Sequence, residues 1–363
     1  MSATGVQCYQ QDGIATTHDL RHAALKQTNA HPSNSKMNIC KLLIGHCEVL
    51  TPFGLSLSKP IHLSTSSRRT DFRLYRAGSI FIILVLLCCS GCSMVTLGYN
   101  HADWILRYWI NGYTSFSTSQ KEQIHLEVDN YLRWHRKNAL PGYIAFLQDV
   151  DATVNRESGM TVADVMRLRA ESGRLYQLTM EPMIRPAAHI LSTLDRDQIT
   201  ELAYTLAERS RKQRQKMLDG SDQEMLNDRA ERHVELVEKM VGNLSSAQEK
   251  AITEMSLHIP FASRAYIEQR EAKQASLIAL LRDKAGEDRI AALFRQWLVT
   301  PETSRTPQQQ QAIAAYENAM NEMTVRIAAT LTTRQKQHLS EEIASYIDDF
   351  RKLNSKVETA SIK

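Results

Sequence analysis

A five-residue pattern recurs four times along this chain: an apolar residue, then Ser, Thr or Asp, two variable positions, and Gln. The copies are Phe116 to Gln120, Leu194 to Gln198, Leu244 to Gln248 and Leu331 to Gln335. Four positions after each glutamine stands Ile124, Leu202, Ile252 or Leu339. This is the chemistry of a capping box. The Ser117, Asp195, Ser245 or Thr332 oxygen accepts from the backbone N–H three residues on, and the Gln120, Gln198, Gln248 or Gln335 side chain reaches back to the capping residue's own N–H. Each copy therefore predicts a helix start. Thr161 with Asp164, Ser221 with Glu224, and Thr306 with Pro307 and Gln309 supply further starts, and Pro141 and Pro260 suit first-turn positions.

Helix ends are legible too. Asn138, Gly159, Gly220, Gly242 and Gly286 stop apolar-periodic segments, and Pro301 closes another. The pattern predicts helices near 99–112, 117–138, 141–157, 161–192, 195–219, 221–242, 245–258, 260–285, 287–299, 306–330 and 332–354. Pro182 and Pro186 fall inside the fourth, which should kink or break there. Glycine and proline are too sparse beyond Cys92 for the many tight turns of an all-β sandwich. The expected fold is all-α, an antiparallel multi-helix bundle of helical hairpins with about ten to eleven helices, built as one domain because the connections are short.

The first quarter of the chain is different. All six cysteines lie in it, at Cys8, Cys40, Cys47, Cys88, Cys89 and Cys92, so a disulfide framework or Cys-ligated zinc site is excluded downstream. Beyond Cys92 the 35 basic and 36 acidic residues nearly balance, so the overall basic charge belongs to the leader and nucleic acid is not an expected partner. Arg68, Arg69, Arg73 and Arg76 precede an apolar run from Ile80 to Cys89, then Ser90, Gly91 and Cys92. A charged segment, an apolar segment and a small-residue cleavage site form a secretory signal. Ten apolar residues would span only about 15 Å as a helix, half a bilayer core.

Cys89-Ser-Gly-Cys92 resembles the bacterial lipobox, departing from it at Cys89, where Leu is usual. The resemblance implies that Cys92 is lipidated and becomes the first residue, and that Ser93 sorts the product to the outer membrane. More than one acyl chain is what makes such an anchor stable. Residues 1–67 are irregular and read either as a mis-assigned start or as a cytoplasmic extension. The expected organisation is therefore that extension, a signal peptide over 68–91, a lipidated tether over 92–98, a helical periplasmic domain over 99–356 and a disordered tail over 357–363. In the first helix Trp104, Tyr108 and Trp109 share one side, which packs into the core on the blander reading or sits in the lipid interface.

Catalytic patterns are missing. The isolated glycines form neither a dinucleotide fingerprint nor a phosphate loop, and no serine nucleophile elbow occurs. Glu122 and His125 have the one-turn spacing of a di-iron ligand pair but lack a second pair, and His233 between Glu231 and Glu235 points away from both. The expectation is therefore no catalytic residue, no metal and no cofactor. Trp134, His135 and Arg136, followed by Pro141 and Tyr143, read as a structural corner in which His135 and Arg136 satisfy carbonyls at a helix end. Arg209, Arg211, Lys212, Arg214 and Lys216 crowd another helix end, as a solvated face or a patch for an anionic partner such as a lipid headgroup.

Two resemblances follow. The signal with Cys92, Leu97 to Asn100, Asp103-Trp104, the box at Phe116 to Gln120, and Trp134 to Tyr143 together resemble an uncharacterised family of proteobacterial lipoproteins, a domain of unknown function with no activity to transfer. The box at Leu331 to Gln335 and its variants are similar to the signature of the periplasmic Spy/CpxP stress proteins. The resemblances imply an outer-membrane lipoprotein of helical fold facing the periplasm, held in membrane lipid by Cys92; with no catalytic pattern in the chain, the expected role is non-enzymatic binding or scaffolding toward an envelope protein. The Spy/CpxP likeness implies the alternative, a tethered, ATP-independent chaperone acting on unfolded clients, and an enzyme of unrecognised type is the third reading.

Overall fold

The computed structural model describes residues 94–218 and 220–360. Among the described residues there are twelve α-helices, one 3-10 turn and no strand. In chain order the helices are α1 (Met94–Asn100), α2 (Ala102–Asn111), α3 (Thr118–Asn138), α4 (Leu140–Asn155), α5 (Val162–Ser192) and α6 (Arg196–Leu218). They continue with α7 (Asp222–Val241), α8 (Ser246–Leu257), α9 (Ser263–Arg282), α10 (Glu287–Leu298), the 3-10 turn Pro301–Ser304, α11 (Pro307–Thr330) and α12 (Thr333–Ala360). Cys92, Ser93 and the segments 1–67 and 68–91 lie outside the described residues, as do 361–363.

Ser117, Thr161, Asp195, Ser221, Ser245, Thr306 and Thr332 each stand one residue before a helix and make both bonds of a capping box with the residue three positions on. The boxes act locally, which is why they can be read from sequence.

Differences arise where distant packing intervenes. The tether expected over 92–98 is helical from Met94, because Val95 and Tyr99 pack on the core and Thr96 donates to Asp349 at 3.5 Å. Helix α5 is not broken at Pro182 or Pro186. Its bonds lost at proline are offset by packing on α10: Ile184 and Ala188 are buried, Arg185 pairs with Asp288 at 2.6 Å, and Glu181 with Arg295 at 2.5 Å. Helix α9 starts at Ser263, after Pro260, and closes through Lys284 at φ 52° rather than at Gly286. There the Ala285 and Lys284 N–H groups donate to the Leu280 and Leu281 carbonyls, the bonds of a Schellman end, while Gly286 precedes α10 as its N-cap. Pro301 opens the 3-10 turn, and α12 runs on to Ala360, beyond the 354 expected.

Hairpin neighbours such as α2–α3, α4–α5 and α7–α8 do pack together, but the most extensive contacts also include α5 with α10, α4 with α12 and α6 with α9. Two large cores result. One gathers α4, the first half of α5, α7, α8, α11 and α12 around Leu140, Leu175, Ile252, Ile343 and Leu353. The other gathers α3, the second half of α5, α6, α9 and α10 around Ile124, Ile184, Leu277, Ile290 and Phe294. Helix α5, with 31 residues, serves both.

Candidate functional site

The four glutamines of the recurring pattern meet in two pairs. Gln120 Nε2 donates to Gln198 Oε1 at 3.2 Å, and Gln198 Nε2 returns a bond to Gln120 Oε1 at 2.7 Å. Gln248 and Gln335 exchange the same two bonds at 3.0 Å each. Each Nε2 also reaches the carbonyl two residues before the partner's cap: Thr193, Ser115, Thr330 and Asn243 respectively. One amide thus caps its own helix with its oxygen and joins a second helix start with its nitrogen. This ties α3 to α6 in one core and α8 to α12 in the other. It fills every donor and acceptor of the side chain and leaves no reactive atom, so the pairs are structural joints.

The corner residues do something other than expected. The His135 ring contacts the Tyr99 hydroxyl at 2.6 Å through Nδ1 and lies among the rings of Tyr99, Tyr131 and Tyr143 at 5.6–5.7 Å. Burial pushes its pKa down to about 4, and the nearby Arg136 adds to the effect. Arg136 stacks over the Tyr99 ring at 5.3 Å, while the helix-end Trp134 carbonyl is taken by Asn138. The expectation that His135 and Arg136 serve as carbonyl caps is therefore replaced by an aromatic cluster, because α1 brings Tyr99 over them. Trp134 stacks on Tyr131, Pro141 occupies the first turn of α4, and the Tyr143 hydroxyl bonds Thr179 at 2.6 Å.

The cationic segment is largely consumed within the molecule. Arg209 lies over the Tyr113 ring at 3.8 Å and donates to the Gly112 carbonyl. Arg211 pairs with Glu208 at 2.9 Å and Arg214 with Glu271 at 2.5 Å, whereas Arg209, Lys212 and Lys216 form no ion pair among the described residues. On α2, Trp104 and Tyr108 stack on each other at 5.7 Å and are 64% and 66% exposed. Leu106 and Ile110, one turn apart on another side, supply that helix's inward packing, so the aromatics do not enter the core.

The feature that sequence reasoning missed is a cavity of about 320 Å³ inside the first core. Its walls are Phe146, Val150 and Val154 of α4, Val165 and Leu168 of α5, Val237 and Met240 of α7, Ile327 of α11 with Leu331 just after it, and Leu339 and Ile343 of α12. The void has a compositional cause. Ser172 and Gly173 on α5 and Thr324 and Ala328 on α11 also line it, and these small side chains leave volume that close-packed interiors normally fill. Gly173 is exposed, and a Cβ built on it meets nothing within 4 Å, so the cavity reaches the surface there. Arg169, Tyr176, Arg305 and Glu317 also line it. Arg169 Nε donates to the buried Asn321 at 3.0 Å, whereas Arg305 Nε is buried with no hydrogen-bond partner among the described residues.

Two other depressions, of about 560 and 520 Å³, hold more volume but are lined by ionised surface groups such as Glu254, Glu322 and Arg326, or Asp149, Arg167, Glu171 and Arg174. The apolar cavity is the better candidate, since ligand sites are mostly apolar with a few convergent polar groups. Ser172 on the buried stripe of a long helix, followed by Gly173, is the one sequence signal that could have pointed to it.

The model described as "Family of unknown function (DUF6279)" matches residues 112–303, more than half of the chain, and the chain belongs to that family. No curated protein and no solved structure matches it.

Proposed function

We propose that this family member is a non-enzymatic binding protein of the outer membrane, lipid-anchored at Cys92 and facing the periplasm, whose cavity holds an apolar guest. The cavity carries the reading, because an apolar void forfeits packing contacts and nothing in the fold requires Ser172 and Gly173 at those positions. The anchoring part rests on the leader. It is supported by helix α1 starting two residues after Cys92, which leaves no slack to hold the domain away from the lipid, and by the exposed Trp104–Tyr108 pair shortly beyond. Aromatic rings of this kind favour the membrane–water interface.

The binding test uses the full chain held in amphipol without detergent and the fluorescent apolar probe 1-aminoanthracene. A saturable, one-to-one fluorescence increase is expected. It should be lost in Gly173→Trp, where the indole occupies the mouth while circular dichroism and melting stay unchanged. Equal fluorescence in both proteins would remove the cavity from the reading. Intact mass of the native N-terminus tests the anchor separately: an unmodified Cys92 removes the anchor and leaves the cavity.

A further inference from the structure

We propose that the guest is a single acyl chain ending in a carboxylate, with its tail in the apolar end of the cavity and its head at Arg305. This rests on the cavity being a binding site. The cavity has a direction. Along α5 its lining runs from Val165 through Leu168 and Ser172 to Tyr176, twelve residues or about 16 Å of helix. The Val165 end is closed by aliphatic groups, Val154, Leu331 and Leu339 among them. The charged lining residues, Arg169, Arg305 and Glu317, gather around Tyr266.

That charge is Arg169 and Arg305 against Glu317, a net single positive. Tyr266 lies within the influence of all three: Glu317 reinforces the upward shift that burial gives its hydroxyl, and Arg305 and Arg169 oppose it. Arg169 is already oriented by Asn321, whereas the Arg305 guanidinium lines the cavity without a side-chain hydrogen bond or ion pair among the described residues. A guanidinium is matched in geometry and charge by a carboxylate. One net positive charge suits a carboxylate better than a phosphate, which carries about −1.5 to −2 at neutral pH. The volume selects the tail. About 320 Å³ lies at the small end of ligand sites, enough for one chain of medium length and too little for the two chains of a phospholipid. The exposed Gly173 stands one helical turn from Arg169, so a chain would enter tail first and stop with its head at the mouth.

The experiment displaces 1-aminoanthracene from the full chain in amphipol with octanoate, decanoate and dodecanoate, and with 1-decanol and decyl phosphate, each below its micelle concentration. Affinity should rise about fourfold per added methylene until the tail fills the cavity. Decanoate should bind at least tenfold more tightly than 1-decanol and more tightly than decyl phosphate. Arg305→Gln should erase the carboxylate's advantage while leaving 1-decanol and the probe unchanged, which a merely structural arginine would not do. If decanoate and 1-decanol compete equally, or Arg305→Gln weakens both alike, the carboxylate assignment is overturned and the cavity reading stands. A stronger decyl phosphate overturns it in favour of a phosphorylated head. If the probe binds and no chain displaces it, the acyl assignment falls. If neither the probe nor any chain binds, both readings fall together.

Discussion

The two cores are built from the same parts and end differently. Each starts from a pair of capping boxes joined through their glutamines, and each uses half of α5 as a wall. In the second core Phe294 and Trp297 meet edge to face at 5.4 Å, and Ile184, Leu277, Ile290 and Phe294 are no more than 1% exposed. In the first core α5 presents Ser172 and Gly173 instead, and a void of about 320 Å³ remains. The difference teaches that a few small residues, Ser172 and Gly173 on α5 with Thr324 and Ala328 on α11, are enough to turn a packed core into a chamber. A void is a standing loss of dispersion contacts, so the chamber should be the weaker half of the molecule.

The largest expected effect tests that directly with one chemistry at two places. Leu277→Ala in the filled core should cost toward the upper end of about 2–5 kcal/mol, because its neighbours are fixed on every side. Leu168→Ala, which already borders the void, should fall toward the lower end, since fewer contacts are lost. Chemical denaturation of both variants provides the comparison. Equal losses would mean that the cavity collapses in solution and the two cores do not differ.

Acid should strike the chamber side next. His135 and His233 are both held to about 4 by burial, with Arg136 beside the first and Arg229 and Arg232 beside the second. His135 lies against Tyr99 and Tyr143, and His233 contacts the Ser256 hydroxyl at 2.9 Å, so both belong to the cavity-bearing region. A histidine whose folded pKa lies below its unfolded 6.5 is protonated first in the unfolded state. Its stabilising effect is full above about pH 6.5 and is lost as pH falls toward 4, by about 3 kcal/mol for each residue. Denaturation midpoints at pH 7.5, 5.5 and 4.5 should drop accordingly, and His233→Gln should flatten about half of the slope. A midpoint that is flat across this range would show that these rings stay hydrated.

The glutamine joints offer a finer comparison. Gln248 and Gln335 are both buried, whereas Gln120 is only half-buried against the buried Gln198. Truncating any of the four to Ala should cost about 1–3 kcal/mol, because a cap N–H and a partner amide lose their bonds together. A double-mutant cycle should give a larger coupling for Gln248 with Gln335 than for Gln120 with Gln198. Additive losses in both cycles would reduce the joints to independent helix caps.

What could be read from the sequence follows the reach of each interaction. Caps act over three residues, so Ser117, Asp195, Ser245 and Thr332 could be placed as helix starts from the chain alone. Their pairing could not, because Gln120 and Gln198 are 78 positions apart and Gln248 and Gln335 are 87. The run Arg209 to Lys216 read as a free cationic face because its partners Gly112 and Glu271 are remote in sequence. The same distance hid the role of His135, whose Tyr99 partner comes from α1. The cavity was least legible of all. It exists only once α5, α11 and α12 meet, and its charged lining residues come from α5 (Arg169), the connection after the 3-10 turn (Arg305) and α11 (Glu317).

The smallest effect separates the chamber's architecture from its use, through two glycines near it. At Gly142, in the first turn of α4, an added Cβ would come within 2.8 Å of Leu175 Cδ2, so Gly142→Ala should destabilise by pushing α4 off α5. At Gly173 an added Cβ meets nothing, and the residue is inside a regular helix, where Gly is worse than Ala by about 0.5–1 kcal/mol. Gly173→Ala should therefore stabilise the protein by about that amount, raising its melting temperature by a degree or more. On packing grounds alone nothing holds glycine there. If the same variant also slows uptake of the apolar probe, the missing side chain is what keeps the mouth passable. Faster melting in Gly173→Ala would instead show that the mouth is closed in solution, and that the two cores are more alike than the small residues of α5 suggest.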